Sequence, residues 1–143
     1  MIRLIVVGKI KEQYLVNMIE DYFKRINKYH KLEIVLIPDS NPKLEAEKII
    51  KKIENNYNVA LDIHGEELDS PKFAKFIEQT LMTKANINFI IGGSEGLTSE
   101  VITKCDKRIS FGKMTFPHGL FRANLLEQIY RSFKILNNET YHK

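Results

Sequence analysis

The chain has 143 residues, of which 43% are apolar and 28% charged, and its 22 basic and 18 acidic side chains leave a net charge of +4. This is enough sequence for one domain with its own core, and the composition is ordinary for a folded protein. Because Cys105 is the only cysteine, an intrachain disulfide and a cysteine-rich zinc site are excluded. The small positive charge permits a polyanionic partner without requiring one.

Nothing in the chain predicts export or a membrane partner. The sequence enters a strand pattern almost at once, without the basic segment and apolar run of a signal peptide. No apolar run approaches the ~20 residues that a membrane-spanning helix needs. We therefore expect a cytoplasmic protein.

Short β-branched runs alternate with helical patterns along the whole chain. The runs predict strands at 4–7, 33–37, 59–63, 87–91 and 108–111. Several are almost continuously apolar, as strands buried on both faces are. Between the first two strands, apolar residues recur at three- and four-residue spacing and predict a helix through Leu15, Met18, Ile19, Tyr22, Phe23 and Ile26.

Three further helices are predicted. A weaker repeat of the same kind runs through Ala46, Ile49, Ile50, Ile53 and Tyr57. Ser70 is expected to cap the next helix, with Pro71 at its first position, and the last helix is expected to begin near His118 and to end at Asn137 and Asn138. The pattern predicts a single α/β domain over residues 1–143, with a mostly parallel sheet of five to six strands and helices on both faces.

Two loops at the predicted carboxyl edge of the sheet are unusual. Ligands bind at this edge in open parallel sheets because loops and helix N-termini offer free N–H groups there. The loop after the fourth strand contains Gly92, Gly93 and Gly96, which suit either a tight turn or a close approach of backbone to a ligand. Its spacing matches neither a Rossmann nor a Walker A loop. Residues 111–118 include aromatic side chains, a methionine and a proline, which either cap the core or wall a flat ring in a cofactor pocket.

The chain ends in Tyr141, His142 and Lys143. Such an end is either a solvated tail or, with basic residues of the preceding helix (Arg122, Arg131 and Lys134), a basic and aromatic surface for RNA.

These segments together resemble one family. Residues 6–9 (VVGK), 92–97 (GGSEGL), 113–118 (KMTFPH), 127–131 (EQIYR) and the ending YHK occur in the order and at the chain length typical of that family. The chain resembles the ribosomal RNA large subunit methyltransferase H family, small members of the SPOUT (α/β-knot) methyltransferases. Each motif alone is weak, but together they span essentially the whole chain and are specific.

The resemblance implies a fold, a cofactor and a reaction. The C-terminal part of the fold is tied in a deep trefoil knot that holds S-adenosylmethionine, and no metal is needed. The implied activity is methylation of N3 of pseudouridine 1915 in helix 69 of 23S ribosomal RNA, by a homodimer acting on the assembled ribosome. Carried over by position, the cofactor contacts are Leu61, Gly92, Phe111, Gly112, Lys113, Met114, Thr115 and Phe116.

The implied reaction requires the imide N3–H to lose its proton while two reactants are aligned and water is excluded. We expect Arg122 to stabilise the anionic ring. His142 is a candidate base or RNA contact, and His118 is either a catalytic group or an orienting residue at the start of a helix. Expected RNA contacts are Tyr141, His142, Lys143 and Arg131. We further expect the tail of one subunit to complete the site of its partner, because a bare core offers little surface for RNA.

Alternatives remain open from the residues themselves. A flavodoxin-like module would bind a nucleotide or phosphate with the glycine turn as an anion nest, without methyl transfer. A non-catalytic ribosome-binding protein would keep the same fold. A phospho-receiver domain is set aside, because it needs clustered acids where this chain has Gly8 and Lys9.

Overall fold

The sheet is parallel throughout the chain that the computed structural model describes, residues 1–53 and 55–142. The strands are β1 (Ile2–Val7), β2 (Leu32–Ile37), β3 (Tyr57–Glu67), β4 (Ile87–Ile91) and β5 (Lys107–Ser110). They lie in the order β2-β1-β4-β3-β5. The helices are α1 (Gln13–Asn27), α2 (Pro42–Lys52), α3 (Ser70–Thr83), α4 (Ser99–Thr103) and α5 (His118–Leu136).

Helices cover both faces of the sheet because the strands are apolar on both. Leu4 and Phe89 point into a core shared with α1, α3 and α5. The next residues along these strands, Ile5 and Ile90, point into a second core shared with α2 and α4. The predicted α/β architecture is confirmed, with five strands. The trefoil knot is not fixed by strand order and stays a prediction.

The third strand differs most from its prediction. β3 has 11 residues, and its pairing with β5 shifts register between Leu61 and Glu66. His64 and Gly65, which the sequence placed in a loop, therefore lie within the strand. A Cβ on Gly65 would lie 2.7 Å from the backbone of Arg108 and Ile109, so this glycine permits the close approach of the two strands. The prediction ended early because this half of β3 is largely exposed and lacks the apolar pattern.

Helix boundaries also needed correction. Asp69, not Ser70, caps α3, its side chain accepting a hydrogen bond of 2.8 Å from the Lys72 backbone N–H. Tyr57 begins β3 rather than continuing α2. The short helix α4, capped by Thr98, was not predicted, since its five residues are too few to show a period. The bounds of α5 are confirmed, with its C-cap at Asn137.

Candidate functional site

The carboxyl ends of β3, β4 and β5 open into a cleft of about 630 Å³. This volume lies within the range of roughly 300–1,000 Å³ typical of small-ligand sites. Ile91 and Ile109 come from the ends of β4 and β5, and Leu61 comes from the middle of the longer strand β3, level with the end of β4. Residues 92–97 and much of 110–118 form the walls. The two unusual loops of the sequence therefore face each other across one cavity.

The glycine loop is a tight turn that also forms a wall of the cleft. The Gly96 N–H donates to the Gly93 carbonyl oxygen at 2.9 Å, and Gly96 has a φ of 76°. A Cβ on Gly92 would lie 2.5 Å from the carbonyl carbon of Gly96. The turn therefore closes only because residue 92 has no side chain, and nothing lies within 4 Å of the Cβ position of Gly96. The tight-turn interpretation is confirmed, and the close approach of this loop to a ligand stays a prediction.

The opposite wall divides its side chains between core and cleft. The Phe111 ring packs against Phe121 at 5.2 Å between centroids and against Phe73 at 6.1 Å. Met114 is 79% exposed and Phe116 is 40% exposed, although both line the cleft. Core capping thus accounts for Phe111 and in part for Phe116, whose ring lies 6.3 Å from that of Phe121, but not for Met114.

The predicted cofactor residues largely meet in this cavity. Those that line it are Leu61, Gly92, Phe111, Gly112, Met114, Thr115 and Phe116, whereas Lys113 does not. Lining residues that the sequence did not single out include Asp62, Glu95 and Phe121. Phe121 lies one helical turn after His118, so its spacing from that residue was a usable clue.

The charge of the cleft is also informative. Among the described residues, its lining includes the carboxylates of Asp62 and Glu95 but no lysine or arginine. Asp62 is paired with Arg108, whereas Glu95 is exposed. A cavity with this lining suits a ligand that carries positive charge better than a phosphate.

Arg122 is buried beside the end of β1. The residue is 5% exposed, and its Nη2 donates to the carbonyl oxygens of Val7 at 3.2 Å and Gly8 at 2.9 Å. Burial lowers the pKa of Arg122 to about 10, so the guanidinium remains charged at neutral pH. Arg122 does not line the cleft of its own chain, and its guanidinium contacts the end of β1; its predicted contact with the substrate ring stays a prediction.

His118 lies between Arg122 and the cleft. Its Nε2 is 2.5 Å from the Val7 carbonyl oxygen and 3.0 Å from Arg122 Nη2. Because a carbonyl oxygen only accepts, the bond to Val7 requires a proton on Nε2, and Arg122 then cannot donate to that nitrogen. His118 lines the cleft and is fixed by the backbone of β1.

Tyr141, near the C-terminus, is packed against helices of its own chain. Tyr141 donates from its hydroxyl to Glu127 Oε1 at 3.3 Å, and its ring meets Tyr130 edge-on at 5.0 Å. Burial, reinforced by the hydrogen bond with Tyr22, holds the pKa of Tyr141 above its usual value. The solvated-tail alternative does not describe this residue.

Arg131 links the tail to α5. Its Nε donates to Glu127 Oε1 at 2.9 Å, its guanidinium lies 4.9 Å from the centre of the Tyr141 ring, and its Nη1 is 3.1 Å from His142 Nδ1. The sequence motif contained Glu127 but assigned it no role. Lys143, a predicted RNA contact, lies outside the described residues.

Within one chain the structure brings His118 and Arg122 into contact but leaves His142 apart from them. Along α5, thirteen residues separate His118 from Arg131, and at 1.5 Å per residue this spans roughly 20 Å. His118 is at the cleft, Arg122 lies behind it, and His142 lies near Arg131 at the other end of the helix.

Comparison with known proteins decides the family. Residues 1–142 match the family described as "Predicted SPOUT methyltransferase". The chain belongs to this family. It is 48% identical to ribosomal RNA large subunit methyltransferase H 1 of Clostridium perfringens (strain SM101 / Type A) and 43% identical to ribosomal RNA large subunit methyltransferase H of Enterococcus faecalis, each comparison covering 99% of both chains. The predicted membership of the methyltransferase H family is confirmed, and with it a SPOUT methyltransferase that uses S-adenosylmethionine.

Solved structures share the SPOUT fold. A probable methylase family protein from Haemophilus influenzae Rd KW20 matches with a TM-score of 0.61 at 14% identity, covering 99% of this chain and 70% of that one. The SpoU methyltransferase AviRb from Streptomyces viridochromogenes, in complex with AdoMet, matches with a TM-score of 0.52 at 14% identity, covering 92% of this chain and 57% of that one. At these identities the likeness establishes the fold alone.

The described residues contain neither a metal-binding cluster nor a membrane-spanning helix. No group of three or more His, Cys, Asp or Glu side chains in residues 1–53 and 55–142 is arranged to hold a metal ion. No helix in that part of the chain combines the length and the apolar character needed to cross a membrane.

Proposed function

We propose that this protein transfers the methyl group of S-adenosylmethionine to N3 of a pseudouridine in helix 69 of 23S ribosomal RNA, within the assembled ribosome. The observation that carries the proposal is the cleft between the glycine loop and residues 110–118, in a chain of the methyltransferase H family. Relatives at 43–48% identity bear ribosomal RNA in their names, which supports the same substrate class here.

The residues of the cleft fit this cofactor. Leu61, Met114 and Phe116 offer apolar surface to a flat adenine ring, and the open backbone at Gly96 and Gly112 permits close approach to its edge. In the part of the chain that the structure describes, no lysine or arginine lines the cleft, which favours a sulfonium over the phosphates of a nucleotide. This lining disfavours the alternative of a phosphate-binding module.

When bound, S-adenosylmethionine supplies an electrophilic methyl group on a positively charged sulfonium. As the bond from N3 to the methyl carbon forms, the bond from carbon to sulfur breaks and the N3 proton must leave. His118 is the candidate acceptor. Its Nε2 is held by the Val7 carbonyl, which leaves Nδ1 as the nitrogen with a free lone pair. Arg122, through its bonds to Val7 and Gly8, positions the backbone that holds His118.

The active unit in this proposal is a homodimer. The tail is ordered by Glu127 and Arg131 but lies roughly 20 Å along α5 from the cleft of its own chain. A second copy brings Tyr141 and His142 to that cleft without undoing these contacts. His142 then serves as an RNA contact or a base, and Arg131 positions the tail.

Primer extension across helix 69 tests the proposal. A methyl group at N3 blocks Watson–Crick pairing and stops the polymerase, so the stop is expected to vanish in a strain that lacks this protein. A plasmid copy of the wild-type gene is expected to restore it, as is the exposed-surface variant Ser99→Ala. A stop that persists in the deletion strain contradicts the proposed substrate.

A further inference from the structure

A second cavity of about 300 Å³ adjoins the cleft. It lies between the loop that connects β1 to α1 and the start of α5, and we call it the α5 groove. Lys9, Lys11 and Tyr14 line one side and residues 117–120 the other. His118 lines both the cleft and the α5 groove, so the two spaces meet at the residue proposed to accept the proton.

The side chains of the α5 groove have a composition that the cleft lacks. Lys9 and Lys11 are exposed cations, against the one carboxylate of Glu12. Tyr14 is 71% exposed although it lines a cavity. An exposed aromatic ring beside two cations is the combination that stacks a base and neutralises the adjoining phosphates.

The floor of the α5 groove is closely packed. A Cβ on Gly119 would lie 3.0 Å from Leu15 Cδ1 and 3.3 Å from Ile10 Cγ1, so α5 meets the β1–α1 loop directly. Arg122 and His118 tie the start of α5 to the carbonyls of Val7 and Gly8, just before Lys9. Lys9 and Lys11 therefore lie on a loop, and Tyr14 on the first turn of α1, that are both packed against α5.

We propose that the α5 groove holds the acceptor nucleotide, with its base against Tyr14 and its flanking phosphates near Lys9 and Lys11. The reactive edge of the base then faces His118 and the cofactor cleft. The assignment rests on the proposed methyl transfer to RNA. Charge complementarity supports this assignment. The phosphates of an RNA strand are not attracted to a cleft lined by Asp62 and Glu95, so the protein needs cations such as Lys9 and Lys11 beside that cleft.

Full-length variants test the α5 groove on ribosomes from a strain that lacks the protein, with tritiated S-adenosylmethionine as donor. Tyr14→Ala is expected to lower kcat/KM for ribosomes by roughly 5- to 100-fold, the loss that accompanies removal of one base–aromatic stack. Tyr14→Phe keeps the ring and is expected to stay within about twofold of wild type. Neither change is expected to alter the affinity for S-adenosylhomocysteine measured by calorimetry.

The role of Lys9 and Lys11 is tested separately, by the salt dependence of binding. The affinity of the protein for ribosomes is expected to fall as the salt concentration rises. The double variant Lys9→Gln/Lys11→Gln is expected to make the slope of log affinity against log salt shallower by about 1.4, because each phosphate contact on a single strand contributes about 0.7. Lys51→Gln/Lys52→Gln removes the same charge from an exposed helix end and is expected to leave the slope unchanged.

Three results overturn the assignment while leaving the proposed function intact. The first is a wild-type kcat/KM in Tyr14→Ala together with a wild-type salt slope in the double-lysine variant. The second is a loss of S-adenosylhomocysteine affinity in Tyr14→Ala. The third is dissociation of a dimer in Tyr14→Ala, measured by sedimentation. A wild-type protein that neither binds S-adenosylhomocysteine nor methylates ribosomes contradicts the proposed function itself, and this assignment falls with it.

Discussion

Gly92 is the residue on which the shape of the cleft depends most directly. In Gly92→Ala the new Cβ would lie 2.5 Å from the Gly96 carbonyl carbon, so the turn has to open. We expect at least a tenfold loss of S-adenosylhomocysteine affinity by calorimetry and a fall of about 1–3 kcal/mol in the free energy of unfolding, as for other overpacked sites. Ser99→Ala, an exposed change just beyond the loop, is the control. Unchanged affinity in Gly92→Ala would remove the glycine loop from the cofactor site.

Cys105 gives a prediction of pH dependence. Burial raises the pKa of its thiol to about 11, and its Sγ donates to the Val101 carbonyl oxygen at 3.4 Å. Since the thiolate is the reactive form, the native protein at pH 8 is expected to react with a disulfide reagent at least about tenfold more slowly than the urea-unfolded chain. The raised pKa also means that this thiol contributes stability below about pH 9 that is lost as the pH rises through about 11. Equal reaction rates for the folded and the unfolded protein would contradict the raised pKa of the Cys105 thiol.

At the scale of single residues, the sequence predicted which positions meet but not how each one is used. Seven of the eight proposed cofactor residues line one cavity, because they follow strands whose carboxyl ends meet at one edge. Arg122 shows that the direction of a side chain could not be predicted. A sequence cannot distinguish a guanidinium that points into a cleft from one that turns back to two backbone carbonyls, since both lie on the same helical turn.

The C-terminal tail is the element whose role is most open to direct test. Deleting residues 141–143 removes the Tyr141 contacts with Glu127 and Tyr130 but leaves the cleft lining in place. We expect S-adenosylhomocysteine affinity to remain within about threefold of wild type and methylation of ribosomes to fall by at least about 100-fold, as for loss of a positioned catalytic or substrate-orienting group. Tyr141→Phe, which loses only the hydroxyl bonds, serves as the milder comparison. Equal losses of binding and methylation would make the tail structural.

Among the elements, apolar strands and long helices were predictable and exposed or short ones were not. β4 is buried at every position and was predicted to the residue. The exposed second half of β3 and the five-residue helix α4 lack the apolar period that marks such elements. Asp69 was missed as a cap because Ser70 and Pro71 beside it offered an equally ordinary start.

For the whole molecule, the proposed composite site makes a prediction about mixed dimers. A protomer with Gly92→Ala supplies an intact tail, and a tail-deleted protomer supplies an intact cleft. At an S-adenosylmethionine concentration too low to fill the Gly92→Ala cleft, both parents are expected to be nearly inactive. If sites are shared across the dimer, random mixing gives half heterodimers with one complete site each, so about a quarter of wild-type activity is expected. If each chain works alone, the mixture stays inactive, and this result would refute the shared site.

The proposed activity depends most on where the cofactor binds, and one titration of the whole protein locates this site. In two-dimensional ¹H–¹⁵N spectra recorded during addition of S-adenosylmethionine, saturable shifts are expected to centre on residues 92–97 and 110–116, which form the walls of the cleft. The cavity at the opposite edge of the sheet, near Asn56, Lys84 and Asn86, is expected to stay unchanged. The absence of saturable shifts, or shifts centred on that opposite edge, would contradict the central claim.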